Sequence, residues 1–163
     1  MTANETFKKA LESHQKNDLL AAKELYSKVI KLDPNHVDAH SNLGVIFQNN
    51  SEYQEAIGCY EKAIEISPDH IHSHYNLGII FQLLDDNQKA ISCYEKAIEI
   101  NPSFTDAHNN LGNLSFHLND NEKAMSCYEK AIEINPDHVT SNNNLGVLFQ
   151  SLKNYEKAKS IFE

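Results

Sequence analysis

The sequence is poor in the residues that form turns. It contains five glycines and four prolines among 163 residues, a composition that permits long helices and disfavours a turn-rich β architecture. It also lacks a long apolar run, and residues 1–8 are polar, so neither a membrane-spanning helix nor a secretory signal is expected. The three cysteines are an odd number without the spacing of a disulfide framework, which favours a reducing, cytoplasmic location.

Positive charge is also scarce. The chain has 14 lysines and arginines against 23 aspartates and glutamates, for a formal net charge of −9. An acidic surface repels phosphate backbones, so a nucleic-acid partner is not expected. Basic peptides or basic patches on proteins are the more natural partners for such a surface.

What the sequence does contain is a repeat with a period of 34 residues. The octapeptide CYEKAIEI occurs three times and the tripeptide NLG four times, and the prolines recur at Pro34, Pro68, Pro102 and Pro136. A fixed period of this length is typical of a repeat built from two helices. The repeats are predicted at residues 3–36, 37–70, 71–104, 105–138 and 139–163, in a single domain whose last repeat is incomplete.

Each repeat is predicted to form a pair of antiparallel helices. In the second repeat, Leu43, Ile46 and Phe47 lie on one stripe of the first helix. Ala56 and Tyr60 lie on one stripe of the second helix, and the helical spacing of both stripes predicts that they face the core. A single pair cannot bury its own apolar face, so neighbouring repeats must stack in a solenoid.

The start of each second helix carries a pattern typical of a capping box. A short polar residue is followed three positions later by a glutamine or glutamate, which predicts that the two satisfy free N–H groups at the helix start. The pairs are Ser51 with Gln54, Asp85 with Gln88, and Asn119 with Glu122. Lys153 breaks the pattern in the fifth repeat.

Glycines inside the first helices predict close helix packing. A glycine in a helix costs about 1 kcal/mol relative to alanine, so its recurrence indicates a second helix that approaches closely. The glycines are Gly44, Gly78, Gly112 and Gly146, and the facing small and aromatic residues are Ala56, Ala90, Ala124, Ala158, Tyr60, Tyr94, Tyr128 and Phe162.

These residues together resemble the tetratricopeptide repeat over essentially the whole chain. The resemblance implies an all-α fold, a right-handed α-solenoid of about five antiparallel helix pairs. It also implies a scaffold for protein–protein interaction whose first helices line a concave groove. The chain departs from the family pattern at Ser115, which replaces an aromatic residue and is followed by Phe116, and at a slot that is often tryptophan. That slot holds His40, His74, His108 and Asn142.

A row of asparagines in the implied groove is the candidate peptide-binding site. The row is Asn42, Asn76, Asn110 and Asn144; beside it stand Val45, Ile79, Asn113 and Val147, and Tyr75, Asn109 and Phe116 complete the surface. An asparagine amide offers a donor and an acceptor, which matches a peptide group. First helices about 10 Å apart and an extended chain rising about 3.3 Å per residue would place one asparagine at roughly every third peptide bond. The alternative is that the asparagines only bond to neighbouring repeats.

Two further functions stay open. The asparagine row resembles the ladder in the tetratricopeptide superhelix of protein O-linked N-acetylglucosamine transferases, which implies a substrate-recruiting arm of a larger enzyme such as a glycosyltransferase. The third possibility is a self-assembling module, in which an open C-terminal end containing Ile161 and Phe162 pairs with another copy. A clamp for a C-terminal carboxylate is disfavoured, because its cationic slots hold Asp38, His72, Asp106 and Thr140.

The sequence carries no motif for catalysis, a cofactor or a metal. It has no Gly-rich phosphate loop and no HExxH, so an enzyme is not expected. Cys59, Cys93 and Cys127 lie one repeat apart, about 10 Å, which exceeds the Cα separation of about 7 Å that a disulfide allows. They are interpreted as buried or half-buried thiols. His70 and His74 lie close together with His72, but without a further type of ligand a metal site is not expected.

Overall fold

The structure is a computed structural model that describes residues 1–153. This part of the chain contains helices and no strands, which confirms the all-α prediction. Its helices are α1 (Ala3–Gln15), α2 (Leu19–Leu32), α3 (Val37–Asn49), α4 (Tyr53–Ile66), α5 (Ile71–Leu83), α6 (Asn87–Ile100), α7 (Thr105–His117), α8 (Asn121–Ile134) and α9 (Val139–Ser151).

The described residues form two compact units, 1–80 and 81–153, with the boundary inside α5. In the first unit α1 packs on α2, α2 on α3, and α3 on α4. In the second unit α6 packs on α7, α7 on α8, and α9 contacts both α7 and α8. Helices therefore pack as consecutive pairs within each unit, as the repeat predicts. The expectation of a single continuous domain stays a prediction.

Small residues and tyrosines form the core of each unit. The first unit's cluster is Ala10, Ala22, Tyr26, Val29, Ala39, Leu43 and Ile46, and the second unit's is Ala124, Tyr128, Leu145, Leu148 and Phe149. Tyr26 and Tyr60 are completely buried. Alanine at the helix contacts lets the backbones approach, and the tyrosine ring fills the space that remains.

The second helices begin one residue later than the capping-box prediction, which was therefore wrong. Ser51, Asp85 and Asn119 have φ angles of 61°, 59° and 63°, the left-handed conformation of a tight turn. The N-caps are the next residues along the chain, Glu52, Asp86 and Asp120. The Asp86 carboxylate, for example, accepts from the Lys89 backbone N–H at 3.3 Å. Turn and cap favour the same short polar residues, so composition alone does not separate them.

The side chains in the slot that is often tryptophan in the family hydrogen bond to the loop before each first helix. In the second to fifth repeats a side-chain N–H donates to the carbonyl of the preceding proline, and because a carbonyl only accepts, each histidine carries its proton on Nε2. The bonds join His40 to Pro34 at 2.9 Å, His74 to Pro68 at 2.8 Å, His108 to Pro102 at 3.0 Å, and Asn142 to Pro136 at 2.9 Å.

Ser115 marks a local exchange in the fourth repeat. Its side chain is 1% exposed, and its Oγ has no hydrogen-bond partner among the described residues. Phe116, one position later, is half-buried and packs against the core of the second unit. The aromatic bulk expected at residue 115 is thus supplied from the neighbouring position. In the fifth repeat, the positions expected to pack a second helix, Ala158 and Phe162, lie outside the described residues.

Replacing Ser115 by alanine is expected to raise the free energy of unfolding by about 1 kcal/mol, because a buried hydroxyl without a partner costs roughly 1–3 kcal/mol. Ser141 is the matched control. It is also fully buried, but its Oγ lies 2.7 Å from His138 Nδ1 and 3.1 Å from Asn109 Oδ1. Ser141→Ala should lower the free energy of unfolding by about 1–3 kcal/mol. Urea unfolding followed by circular dichroism measures both, and changes of the same sign would contradict the assignment.

Candidate functional site

In the first unit the asparagine row is tied to the buried tyrosines. The Asn76 side chain hydrogen bonds to the Tyr60 hydroxyl, and that hydroxyl donates to Gln48 Oε1 at 2.8 Å. Asn42 bonds in the same way to Tyr26, whose hydroxyl lies 3.2 Å from a histidine, His14 Nδ1. Each asparagine is thereby joined to the preceding repeat.

The hydrogen bonds of the Tyr60 hydroxyl show which end of the Asn76 amide is engaged. Burial raises the pKa of Tyr60 and of Tyr26, and the bond from the asparagine opposes that rise. The Tyr60 hydroxyl gives its only hydrogen to Gln48 Oε1, so its oxygen can only accept from Asn76, and an amide N–H of Asn76 is used. The amide oxygen of Asn76 has no hydrogen-bond partner within residues 1–153 and remains available as an acceptor.

In the second unit the asparagines bond to one another. Asn144 Nδ2 donates to Asn113 Oδ1 at 2.7 Å and to Asn109 Oδ1 at 3.1 Å. The Tyr128 hydroxyl donates to Asn113 Oδ1 at 2.9 Å, and burial raises the pKa of Tyr128 to about 12. Asn109 Nδ2 donates to Asn110 Oδ1 at 3.3 Å. The network links α7 to α9 and fixes the orientation of each amide.

The different bonding in the fourth repeat follows from an exchange of two residues in the sequence. Gln82 accepts from the Tyr94 hydroxyl at 2.8 Å, just as Gln48 accepts from Tyr60 in the first unit. In the fourth repeat Phe116 stands in this glutamine slot and offers no acceptor. Asn113, in a slot that is aliphatic in the neighbouring repeats, accepts from the tyrosine instead.

The predicted site residues differ in exposure. Asn109 is only 5% exposed, so it supports the network rather than the surface. Val147 is the most open, at 47% exposed. The others are half-buried: Asn42, Asn76, Asn110, Asn144, Val45, Ile79, Asn113, Tyr75 and Phe116. Sequence reasoning placed these residues on one helix face, but it missed their bonds to the tyrosines, which depend on the distance between repeats.

Two of the slots that would carry cations in a carboxylate clamp, Asp38 and Asp106, have a structural partner instead. Asp38 Oδ1 lies 3.6 Å from His70 Nε2, and Asp106 Oδ1 lies 3.3 Å from His138 Nε2. Burial lowers the pKa of His70, and Asp38 opposes that shift. Each pair joins the start of a first helix to the last residue of the same repeat.

The cysteine thiols are part of the packed structure of the repeats. Cys59 and Cys93 are half-buried and Cys127 is buried, all as thiols outside any disulfide, as predicted. Burial raises the pKa of Cys59 and of Cys127 to about 11, which keeps these thiols protonated and unreactive near neutral pH. No group of three possible metal ligands occurs within residues 1–153. Among the same residues, no helix combines the length and apolarity needed to span a bilayer.

The fold and the periodic site together define a helix-pair repeat protein. Family models described as "Tetratricopeptide repeat" match residues 36–103, 105–138 and 127–160, and one described as "TPR repeat" matches residues 10–51. The chain belongs to the tetratricopeptide repeat family. This is a scaffold family that is generally non-catalytic, so membership supports a role in protein interaction.

Solved structures of this family superpose well on the chain. MamA, known from a crystal structure, is 26% identical to this chain in sequence. The match covers 98% of this chain and 87% of that chain, with a TM-score of 0.85. YrrB, described as "a TPR protein with an unusual peptide-binding site", is 25% identical over 96% of this chain and 80% of its own, with a TM-score of 0.77. PilF of Pseudomonas aeruginosa, 22% identical over 98% of this chain and 73% of its own, has a TM-score of 0.89 and supports the fold alone. A comparison with the curated proteins gave no significant match.

Proposed function

We propose that this protein is an interaction scaffold whose first helices bind an extended segment of a partner protein. The observation that carries the proposal is the state of the asparagine row. The amide oxygens of Asn76 and Asn144 have no partner among the described residues, while their nitrogens are held by bonds to neighbouring repeats. Fixed acceptors of this kind suit the backbone N–H groups of a peptide.

The surroundings of the row support a peptide rather than a small charged ligand. The aliphatic side chains of Val45 and Ile79 are half-buried beside Asn42 and Asn76 in the first unit. Binding to the backbone from fixed amides requires little ordering of the protein on association, which favours affinity. The likeness to YrrB, whose description names a peptide-binding site, points the same way.

Peptides selected from a random dodecapeptide display library on the full chain would test the proposal. Substituting Asn42 and Asn76 by alanine removes two amides of the row from the first unit. Substituting Asn110 and Asn144 by alanine removes two amides of the row from the second unit. The double variant of the unit that holds the peptide loses two hydrogen bonds at about 1 kcal/mol each. It should therefore bind a selected peptide roughly 30-fold more weakly. Fluorescence polarisation measures the dissociation constants.

Two controls make the result specific. Glu61→Ala with Glu129→Ala changes exposed positions on the second helices and should leave affinity unchanged. N-methylation of the peptide amides that bond to asparagine should weaken binding to the native chain and not to the alanine variant. The proposal fails if peptides bind equally to the native chain and both asparagine variants, all with matching circular dichroism and thermal melting.

The other functions stay predictions. A substrate-recruiting arm of a larger enzyme uses the same face and is not separated from a scaffold by the geometry of the site. Self-association through the C-terminal end depends on Ile161 and Phe162, which lie outside the described residues.

A further inference from the structure

A cavity of about 480 Å³ opens on the second unit between α7 and α9. It is lined by Gln82, Asn113, Phe116, His117, Tyr128, Asn144 and Val147. Its volume is in the range of sites that hold small ligands or single large side chains. It lies where the fourth repeat departs from the others, so its lining is particular to this repeat.

Two amides in the lining present complementary free ends. Asn113 Oδ1 already accepts two hydrogen bonds, from Tyr128 and from Asn144. Asn144 Nδ2 uses both of its hydrogens, on Asn113 and on Asn109. Within residues 1–153 this leaves Asn113 Nδ2 as a donor and Asn144 Oδ1 as an acceptor. A donor beside an acceptor matches the C=O and N–H of a peptide backbone.

The rest of the lining selects against charge. It contains no aspartate, glutamate, lysine or arginine, and its one histidine, His117, is exposed to solvent, so a charged side chain would lose hydration without gaining a buried counter-ion. Phe116 is half-buried and Val147 is 47% exposed, and together they offer apolar surface. Burial of an apolar side chain against such surface is favourable by itself.

The equivalent positions in the second repeat show what creates this chemistry. There Val45 and Gln48 occupy the slots of Asn113 and Phe116, and Gln48 is bonded to the Tyr60 hydroxyl. A glutamine held in this way puts a polar amide where the fourth repeat has an aromatic ring. The fourth repeat therefore differs from the second at two linked positions. Phe116 supplies an apolar wall, and Asn113 supplies an amide donor beside it.

We propose that this cavity is an anchor pocket for one large apolar side chain, aromatic or aliphatic, of a bound peptide segment. The side chain packs on Phe116 and Val147, and the backbone of the same residue bonds to Asn113 Nδ2 and Asn144 Oδ1. The proposal rests on the proposed function, to which it adds the residue class of the ligand. It also assigns the pocket to the fourth repeat.

The test uses two small probes, N-acetyl-phenylalanine methylamide and N-acetyl-aspartate methylamide, titrated into the full chain. Nuclear magnetic resonance then follows the side-chain amide signals of Asn113 and Asn144. The phenylalanine probe should shift both signals and bind roughly tenfold to a hundredfold more tightly than the aspartate probe, as burial of one apolar side chain implies. The control variant carries Asn113→Val with Phe116→Gln, which copies the second repeat, and its Asn144 signal should not respond.

Each outcome decides one proposal. The anchor pocket is overturned if the phenylalanine probe shifts neither signal, if the aspartate probe binds equally well, or if the Asn144 response survives in a control variant with native circular dichroism. Dodecapeptide binding that depends on Asn42 and Asn76 would leave the proposed function standing in each of those cases. If the phenylalanine probe shifts both amide signals but the chain binds no dodecapeptide, the anchor pocket is supported and the proposed peptide-binding function is contradicted.

Discussion

Substitution of Gly44 by alanine is expected to lower the free energy of unfolding by about 1–3 kcal/mol, although alanine is the better helix former. A Cβ added at residue 44 would lie 2.7 Å from Tyr60 Cε1 and 3.0 Å from Tyr60 Cδ1 and Cζ. The ring cannot move away, because Tyr60 is fully buried and its hydroxyl is bonded to Gln48 and Asn76. The overlap must therefore be relieved by separating the two helices.

Gly58 is the matched control in the neighbouring helix. A Cβ there would meet nothing within 4 Å, so Gly58→Ala should raise the free energy of unfolding by about 1 kcal/mol. Urea unfolding of the two variants, followed by circular dichroism, should give changes of opposite sign. Gly112→Ala should resemble Gly44→Ala, because its Cβ would lie 2.7 Å from Tyr128 Cε1. A stabilised Gly44→Ala would show that the helix pair is looser than the structure has it.

The features that the sequence predicted well are those that every repeat must satisfy in the same way. Stacking requires a small residue where helices cross and a bulky residue beside it. Duplication then displays that requirement as a 34-residue period. Ala56 and Tyr60 were placed correctly in the core because their role depends on local helix geometry alone.

The features that the sequence did not predict depend on the distance between repeats or on a choice between equivalent residues. Ser51 was taken for an N-cap because turn and cap favour the same small polar residues. Asn109 was placed on the groove surface beside the asparagine row, yet it is buried and accepts from Asn144 and Ser141. Neither bond could be inferred without knowing how closely α9 approaches α7.

The asparagine row serves both stability and the proposed binding, and the tyrosines connect the two roles. Tyr60 packs on Gly44 within its own repeat, while its hydroxyl accepts from Asn76 of the next repeat. The bond aims the Asn76 amide, so that its oxygen faces away from the tyrosine. The nitrogen of the Asn76 amide thus serves stability and its oxygen serves the proposed binding. A substitution at Tyr60 can separate these two roles.

Tyr60→Ala is accordingly expected to be among the most damaging single substitutions in the first unit, at about 3–5 kcal/mol, because it leaves a cavity the size of an aromatic ring. Tyr60→Phe keeps the ring and should cost only about 1 kcal/mol for the lost hydrogen bonds. Urea unfolding at neutral pH measures both. Burial raises the pKa of Tyr60 above its ordinary value of 10.0, so the unfolded chain loses this proton first and native stability should fall as the pH rises past 10. Tyr60→Phe should remove that part of the alkaline loss.

The same phenylalanine variant tests the link between packing and binding. Without the hydroxyl, the Asn76 amide is no longer aimed by its neighbour, and a selected peptide held by the first unit should bind more weakly even though the fold is kept. A loss of about tenfold corresponds to one hydrogen bond that is no longer pre-oriented. Combining Tyr60→Phe with Asn76→Ala should then cost little more than Asn76→Ala alone, because both substitutions remove one interaction. Fully additive losses would show instead that Tyr60 supports binding only through the general stability of the helix pair.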